Sequence, residues 1–200
     1  KGILFIEIAH GGLQQMNNVV KSIKSDFPGT IIFGGNVDNG DTAKFLEDGG
    51  YDGVLVNVGN GSGCSTTEVT GVGLPLVSSI IEIRKSVAIP MIACGGVRMV
   101  GEFVKCIAMG CDLVMSGMLF ARCKETLSGQ TGTYYGETSE KSKRGKNRIE
   151  GRVVYLGEER TAVHDVLNLA KQSLQSAMSY SNSRNLIEFR DKVRFAYLGC

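Results

Sequence analysis

A cysteine set among glycines and hydroxyl side chains is the part of this sequence best suited to chemistry. Cys64 follows a glycine-rich run over residues 59–63 and precedes Ser65, Thr66 and Thr67. Main-chain amides that glycine leaves uncovered can bind a phosphate, and they also favour the thiolate, which is the nucleophilic form of cysteine. The pattern predicts a nucleophilic thiol beside an anion site. A flexible surface loop with an incidental cysteine is the alternative.

Two more glycine segments follow apolar runs further along the chain. Gly95 and Gly96 lie just before a helical pattern that begins at Val100, and Gly117 ends the next apolar run. Bare amides at successive strand ends, where helices begin, suit one phosphate shared between them. Glycine after a strand is also common in a simple turn, so these segments alone leave both interpretations open.

The elements that position these residues alternate in type along the chain. Short apolar, β-branched runs give way to helical spacing, and glycine, asparagine or proline marks each change. Strands are predicted over residues 3–9, 30–37, 53–58, 88–93 and 112–118, and helices over 13–27, 41–48, 75–87, 100–109 and 161–180. A short helix or strand is predicted over residues 186–195.

Five β/α repeats with nearly continuous apolar strands indicate a parallel sheet covered on both faces. Periodicity alone allows an open doubly wound sheet or part of a (β/α)8 barrel. The glycine-rich segments favour the barrel, because they follow the carboxyl ends of successive strands, where barrel enzymes build their sites. The predicted fold class is therefore α/β, with roughly the last five β/α units of a (β/α)8 TIM barrel and a C-terminal helical segment.

The repeat stops after Phe120. Residues 122–149 are polar, contain glycine and lack a clear period, which predicts either a lid over the site or a disordered segment. We expect a single catalytic domain over residues 1–200, with residues 122–149 as its active-site flap.

The composition excludes several classes of protein. A hydrophobic content of 42% with 21% charged residues fits a folded soluble domain. A net charge of +2 gives no excess of positive electrostatic potential to attract nucleic acid. No apolar run reaches the roughly 20 residues that a membrane span requires. Six cysteines without a CxxC pair indicate reduced thiols in the cytoplasm, not a disulfide framework or a zinc site. Since the sequence begins at Lys1, without a methionine and directly in a strand-like run, we expect it to be a fragment or part of a longer chain.

Several motifs together resemble one family of enzymes. The segments GSGCST at residues 61–66 and TGVG at residues 70–73 are similar to the active-site loop of IMP dehydrogenases and GMP reductases. Further similar segments keep the order of that family, at residues 8–11, 34–37, 95–97, 114–117 and 135–139. The resemblance covers nearly all of the chain and lacks the first barrel strands, with the catalytic lysine that they carry in the reductases.

The resemblance implies a reaction and a substrate site. Cys64 would add to C2 of a purine nucleotide as a thioimidate, and hydride would pass between C2 and a nicotinamide cofactor. The 5′-phosphate would lie at Ser62 and the glycine amides, with Tyr135 closing over it. The implied substrate-binding residues are Ser62, Cys94, Gly95, Gly96, Gly117, Met118, Tyr135, Glu137, Thr138 and Gly151.

The resemblance also implies a binding site for the nicotinamide cofactor, a bound metal ion and an oligomeric state. Glu7, in place of an aspartate, and Asn36 would lie near the nicotinamide riboside of NADPH. Main-chain carbonyls of Gly59, Gly61 and Cys64 would bind a potassium ion. The implied assembly is a homotetramer.

The choice between the two activities depends on the flap. A dehydrogenase in this family activates water with an Arg-Tyr pair on a long flap, but residues 141–149 are short and contain no tyrosine. A reductase uses a Thr-Glu pair, for which Thr66 and Glu150 are the candidates; an exposed loop acid is the alternative for Glu150. We therefore expect GMP reductase activity, which converts GMP to IMP and ammonia with NADPH. IMP dehydrogenase activity (IMP to XMP with NAD) and a catalytically idle nucleotide-binding paralogue are the alternatives.

The sequence departs from the family around the nucleotide. Cys94 stands where an aspartate binds both ribose hydroxyls, and a thiol cannot accept two such hydrogen bonds. Asn60 replaces a proline, Glu137 replaces a methionine, and Met118 replaces serine or glycine. Cys94 favours the two alternatives, whereas Cys64, Thr66 and Glu150 together favour the reductase.

Overall fold

A computed structural model of the chain describes residues 2–142 and 150–196. Strands and helices alternate through most of this part of the chain. In chain order they are β1 (Ile3–Glu7), α1 (Gln14–Asp26), β2 (Ile31–Val37), α2 (Gly40–Asp48), β3 (Gly53–Val56), α3 (Thr66–Thr70), α4 (Leu76–Ser86), β4 (Met91–Cys94), α5 (Val100–Ala108), β5 (Leu113–Met115), α6 (Leu127–Thr131), β6 (Thr133–Tyr135), β7 (Val153–Tyr155), α7 (Val163–Tyr180) and α8 (Leu186–Lys192).

The first five strands form one parallel sheet in the order β1-β2-β3-β4-β5. Helices connect consecutive strands, and each strand pairs with its neighbour in sequence. A doubly wound sheet reverses its strand order, whereas a (β/α)8 barrel does not. The sheet is a curled part of a (β/α) barrel, which confirms the predicted fold class.

Two layers of apolar side chains stabilise this sheet. Side chains of a strand alternate between its two faces. Val54 and Val56 of β3 therefore join the core between the sheet and the helices, while Leu55 packs on the inner face with Ile92 and Cys94 of β4. The helices contribute buried side chains to the outer core, namely Val20, Leu46, Ile80, Ile83 and Cys106. Because both faces are covered, β3 and β4 are buried along their whole length.

The observed elements differ from the predicted ones mainly at their ends. β1 ends at Glu7, where its pairing with β2 stops, although the apolar run continues. The short helix α3 was not predicted. Part of the predicted flap is regular structure, because β6 pairs antiparallel with β7 from Thr133 opposite Tyr155 to Tyr135 opposite Val153. The remaining residues 143–149 of the predicted flap lie outside the described part of the chain.

The C-terminal segment consists of two helices against the outside of the barrel. α7 packs on α5, as its apolar spacing predicts, and α8 packs on α5 as well. The guanidinium of Arg190 on α8 donates hydrogen bonds to the carbonyl oxygens of Cys111 at 2.7 Å and Ile107 at 3.1 Å. The segment predicted as a helix or strand is therefore a helix that is tied to the end of α5.

β1 and β5 are the two edges of the five-stranded sheet. Apolar side chains on both strands are exposed, by 64% for Ile3 and 56% for Leu113. The ring of Phe5 on β1 stacks on that of Phe33, with centroids 5.3 Å apart. In the described residues the sheet therefore stays open along both edge strands.

Residues 2–142 and 150–196 contain neither a membrane span nor a side-chain metal cluster. No helix in these ranges is long and apolar enough to cross a bilayer. No three His, Cys, Asp or Glu side chains there are grouped so that they could hold a metal ion. Five cysteines in the same ranges are free thiols.

Candidate active site

The predicted nucleophile lies at the carboxyl end of the sheet. Residues 57–65 leave β3 at this edge, and α3 begins directly after them at Thr66. Cys64 lines a cavity of about 470 Å³ that the ends of β1 to β5 and the segments around β6 and β7 surround. Parallel strands end at the same rim, which explains how residues far apart in the sequence reach one cavity.

Cys64, Thr66 and Glu150 form a continuous chain of hydrogen bonds. The thiol of Cys64 donates to Thr66 Oγ1 over 3.2 Å, and the Thr66 hydroxyl donates to Glu150 Oε2 over 3.1 Å. The structure therefore brings together the three predicted catalytic residues, although Glu150 is 84 positions from Thr66. Each donor points toward the carboxylate, so the chain is a route for a proton from sulfur to Glu150.

Main-chain pairing holds Glu150 beside the cysteine. Ser65 N donates to the Glu150 carbonyl at 2.7 Å, and Arg152 N donates to the Gly63 carbonyl at 3.0 Å. These bonds make an antiparallel bridge between Cys64 and Gly151. A Cβ at Gly151 would lie 2.6 Å from Ser139 N, closer than any side chain tolerates. Gly151 therefore acts through its small size, and it holds the acid in place instead of lining the cavity.

Cys94 lines the same cavity but is a different kind of thiol. Its Sγ lies 3.6 Å from Glu7 Oε1, to which it donates. Burial, assisted by the negative charge of Glu7, raises the pKa of Cys94 to about 12. Cys94 is therefore a protonated donor and not a second nucleophile. The carboxylate at this position of the cavity comes from Glu7 on β1.

The side chain of Asn36, near Glu7 in the same cavity, has a carbonyl oxygen without a hydrogen-bond partner among the described residues. Its Nδ2 donates to the Ile8 carbonyl at 3.0 Å and lies 3.5 Å from Glu7 Oε1. Its Oδ1 is buried and has no hydrogen-bond partner among the described residues. Buried polar atoms are nearly always paired, so this oxygen is suited to a donor on a ligand.

The residues predicted to bind the substrate are divided between two neighbouring cavities. Gly95 and Gly117 line the cavity of Cys64, together with Glu137 and Thr138. Ser62 and Met118 line a second cavity of about 650 Å³, which shares Gly61 with the first. Among the described residues around these two cavities, Gly96 and Tyr135 belong to neither lining.

Guanidinium groups surround the second cavity. Arg98, Arg122 and Arg152 line it, and its lining contains no acidic residue within the described ranges. Arg98 Nε donates to Ser62 Oγ at 3.2 Å. Guanidinium groups bind phosphate oxygens with charge-assisted hydrogen bonds, so this cavity is suited to an anion.

Sequence reasoning missed two residues that shape the site. Tyr134 lines the cavity where Tyr135 was predicted, because alternate side chains of β6 face opposite sides. Asn57 fixes the start of the cysteine loop, since its Nδ2 donates to the Cys94 carbonyl at 2.6 Å and its Oδ1 accepts from Asn60 Nδ2 at 2.7 Å. An asparagine directly after a buried strand was the available signal for Asn57.

Two of the three carbonyl oxygens predicted to bind potassium, those of Cys64 and Gly61, already accept hydrogen bonds from the chain itself. The Cys64 carbonyl accepts hydrogen bonds from Arg152 Nε at 3.1 Å and Nη2 at 2.8 Å. The Gly61 carbonyl accepts from Cys64 N at 2.9 Å. A full positive charge already lies at the oxygen that a potassium ion would need, and the two charges would repel.

Selective alkylation distinguishes the thiols. Burial raises the pKa of Cys94 and Cys111 to about 12 and that of Cys106 to about 11, so these thiols keep their protons at pH 8. Cys64 is only half-buried. We expect iodoacetamide at pH 8 to modify Cys64 before Cys94, Cys106 and Cys111, and raising the pH to 9.5 to leave these three thiols mostly unmodified.

Mass spectrometry of peptides from samples quenched at successive times measures the order in which the cysteines are modified. Protein unfolded in urea is the control, because there the same thiols should react at similar rates. Modification of Cys94 as fast as that of Cys64 in the folded protein would contradict the assignment of Cys64 as the accessible thiol.

Comparison with known proteins gives the family. Residues 2–199 match the model of the IMP dehydrogenase / GMP reductase domain. The chain is 34% identical over 194 residues to a GMP reductase of Staphylococcus carnosus, which covers 92% of this chain and 59% of that protein. It is 35% identical over 196 residues to a GMP reductase of Streptococcus equi subsp. equi, with 92% and 59% covered.

The dehydrogenase branch of the family is also similar. An inosine-5'-monophosphate dehydrogenase of Aquifex aeolicus is 32% identical over 220 residues, which cover 96% of this chain and 44% of that protein. The chain thus spans 59% of the length of the two reductases and 44% of that of the dehydrogenase. With a family match over almost all of its residues, the chain belongs to the IMP dehydrogenase / GMP reductase domain family.

Proposed function

We propose that the protein reduces GMP to IMP and ammonia with NADPH. The single observation that carries the proposal is the hydrogen-bond chain from Cys64 Sγ through Thr66 to Glu150 Oε2, at the wall of one cavity. A nucleophile and a proton carrier in direct contact are what substitution at an amino-bearing ring carbon needs. The similarity to GMP reductases supports the same reaction.

The two cavities suit the two ends of a nucleotide. The first, at about 470 Å³, has the size of a small-ligand site. Glu137, Thr138 and Tyr134 lie around it and offer polar contacts to a purine ring above Cys64. The second cavity, beyond Gly61, offers Ser62 and Arg98 to the 5′-phosphate. The ring and the phosphate would thus lie on opposite sides of the glycine-rich loop.

The residues of the site would perform the first half of the reaction as follows. Cys64 passes its proton through Thr66 to Glu150, and the thiolate adds to C2 of GMP. Glu150 returns the proton through Thr66 to the 2-amino group, the C2–N bond breaks, and ammonia leaves. A C–S bond has then replaced a C–N bond, and Glu150 is again a carboxylate.

The second half releases the product. NADPH, when bound, supplies a hydride to C2. The C2–S bond then breaks, and Cys64 leaves as a thiolate that takes up a proton. In total GMP, NADPH and one proton give IMP, ammonia and NADP⁺, so atoms and charges balance.

The described residues fit a nicotinamide at one end of the cavity. The buried Asn36 Oδ1, which lacks a partner among the described residues, would accept a hydrogen bond from the carboxamide. The carboxylate of Glu7, 3.5 Å from Asn36 Nδ2, would accept from ribose hydroxyls. Both residues line the same cavity as Cys64, so the hydride donor and the nucleophile would meet the purine in one site.

Oxidation of IMP to XMP with NAD is the second candidate, which the similarity to an IMP dehydrogenase supports. The nine residues from Lys141 to Ile149 contain no tyrosine, which favours the reductase. We further propose a cytoplasmic homotetramer, and sedimentation velocity of the protein would test the assembly.

Two assays on the protein test the proposed reaction. With GMP and NADPH, we expect nicotinamide absorbance to fall as IMP and ammonia form in equal amounts. With IMP and NAD, we expect no NADH. NADH formation would make the protein a dehydrogenase, and no change in either assay, despite nucleotide binding, would identify an idle paralogue.

A further inference from the structure

The guanidinium of Arg152 contacts the cysteine loop at one carbonyl oxygen. Its Nε and Nη2 both donate to the Cys64 carbonyl, at 3.1 Å and 2.8 Å. Hydrogen bonds from a charged donor are about twice as strong as those between neutral groups. The carbonyl of the proposed nucleophile is therefore held by a positive charge that belongs to the chain itself.

The same guanidinium connects the loop to the helix that follows it. Nη2 of Arg152 also donates to Glu68 Oε1 on α3 at 2.8 Å. Glu68 is 66% exposed, and an exposed ion pair adds little stability by itself. Its effect is to orient the guanidinium toward the Cys64 carbonyl, so that the start of α3 and the loop before it are joined.

The main chain of Arg152 fixes where that charge lies. Its N donates to the Gly63 carbonyl at 3.0 Å, and its carbonyl accepts from Gly136 N at 3.2 Å. A Cβ at Gly63 would lie 2.7 Å from Gly136 N, so the three segments meet at van der Waals distance. The main chain that carries this guanidinium is therefore already hydrogen-bonded to the cysteine loop, which limits where the positive charge can lie.

We infer that Arg152 is a built-in cation that positions the nucleophile loop, in place of a monovalent metal ion. A potassium ion at the Cys64 carbonyl would meet the Arg152 charge, which is 2.8 Å from that oxygen. The order of the loop is then independent of potassium. The inference deepens the proposed function, because the loop carries the proposed nucleophile, but its test requires no turnover.

Hydrogen exchange of amides 59–66 in the unliganded protein tests this role. We expect Arg152→Ala to speed their exchange by about tenfold or more, because two charge-assisted hydrogen bonds are lost. Arg122→Ala is the matched control: Arg122 lines the same second cavity but donates no side-chain hydrogen bond to a described residue, so the loop should exchange as in the unsubstituted protein. Arg152→Lys, which keeps the charge with fewer donors, should give an intermediate rate and serves if Arg152→Ala fails to fold.

Each protein is measured in potassium chloride and in N-methylglucamine chloride at equal ionic strength. Equal exchange of the loop in both salts by the unsubstituted protein, with the faster exchange of Arg152→Ala, supports the inference. Slower exchange in potassium alone, or an Arg152→Ala loop that exchanges as in the unsubstituted protein, overturns it. Neither result depends on GMP or NADPH, so failure of this inference and failure of the proposed reaction can be distinguished.

Discussion

Replacing Cys64 with alanine is expected to lower kcat for GMP reduction by about 10⁴-fold or more, because the covalent route is lost. Cys64 is half-buried in a loop and contributes nothing to the buried core clusters, so the melting temperature should change little. Steady-state kinetics with GMP and NADPH, beside a thermal melt, measure both quantities.

Ser65→Ala is the matched control for Cys64→Ala. Ser65 lies next to Cys64, but only its main chain takes part in the bridge to Glu150. This variant should keep most of the activity. If Cys64→Ala retained more than a few per cent of the activity, a thioimidate on this sulfur could not be on the reaction path.

Replacing Glu150 with glutamine is expected to slow ammonia release by about 100-fold or more, which is the range for loss of a general acid or base. The amide can still accept the hydrogen bond from Thr66, which lies 3.1 Å from Oε2, but it cannot take a proton from it. Rapid-quench measurement of ammonia and stopped-flow measurement of hydride transfer from the preformed adduct separate the two steps.

Hydride transfer should be much less affected than ammonia release in Glu150→Gln. Glu158→Gln is the control, because Glu158 is an exposed acid on the loop after β7 and should change neither step. Equal slowing of both steps would mean that Glu150 shapes the loop and carries no proton.

The sequence was sufficient for the fold because each strand of the sheet is a short apolar run and pairs with its neighbour in the chain. Strand ends were less predictable, since a strand ends where its pairing with a neighbour ends: β1 ends at Glu7, opposite Gly35, just before the pairing of β2 with β3 shifts register. The pairing of β6 with β7 was missed because it joins segments about 20 residues apart, and apolar spacing within one segment does not encode that distance.

The site was predictable where its chemistry is local. Cys64 and Thr66 are two positions apart, whereas Glu150 could be placed beside them only through the family resemblance. Tyr135 was predicted at the cavity, but the structure places Tyr134 there. Which of the two tyrosines lines the cavity depends on which face of β6 is turned toward it, and a strand of three residues has too short a pattern to predict that face. The bond of Arg152 to the Cys64 carbonyl depends on a bridge between distant segments, for which one sequence gives no signal.

The open edges of the five-stranded sheet affect how the protein can be handled in solution. Edge strands with apolar side chains, such as Ile3 on β1 and Leu113 on β5, can accept a strand from another molecule. Concentrated preparations of these 200 residues alone would then self-associate and precipitate. Co-expression with a polypeptide that supplies further barrel strands, as in fragment complementation, would occupy the same amide and carbonyl groups and keep the preparation monodisperse.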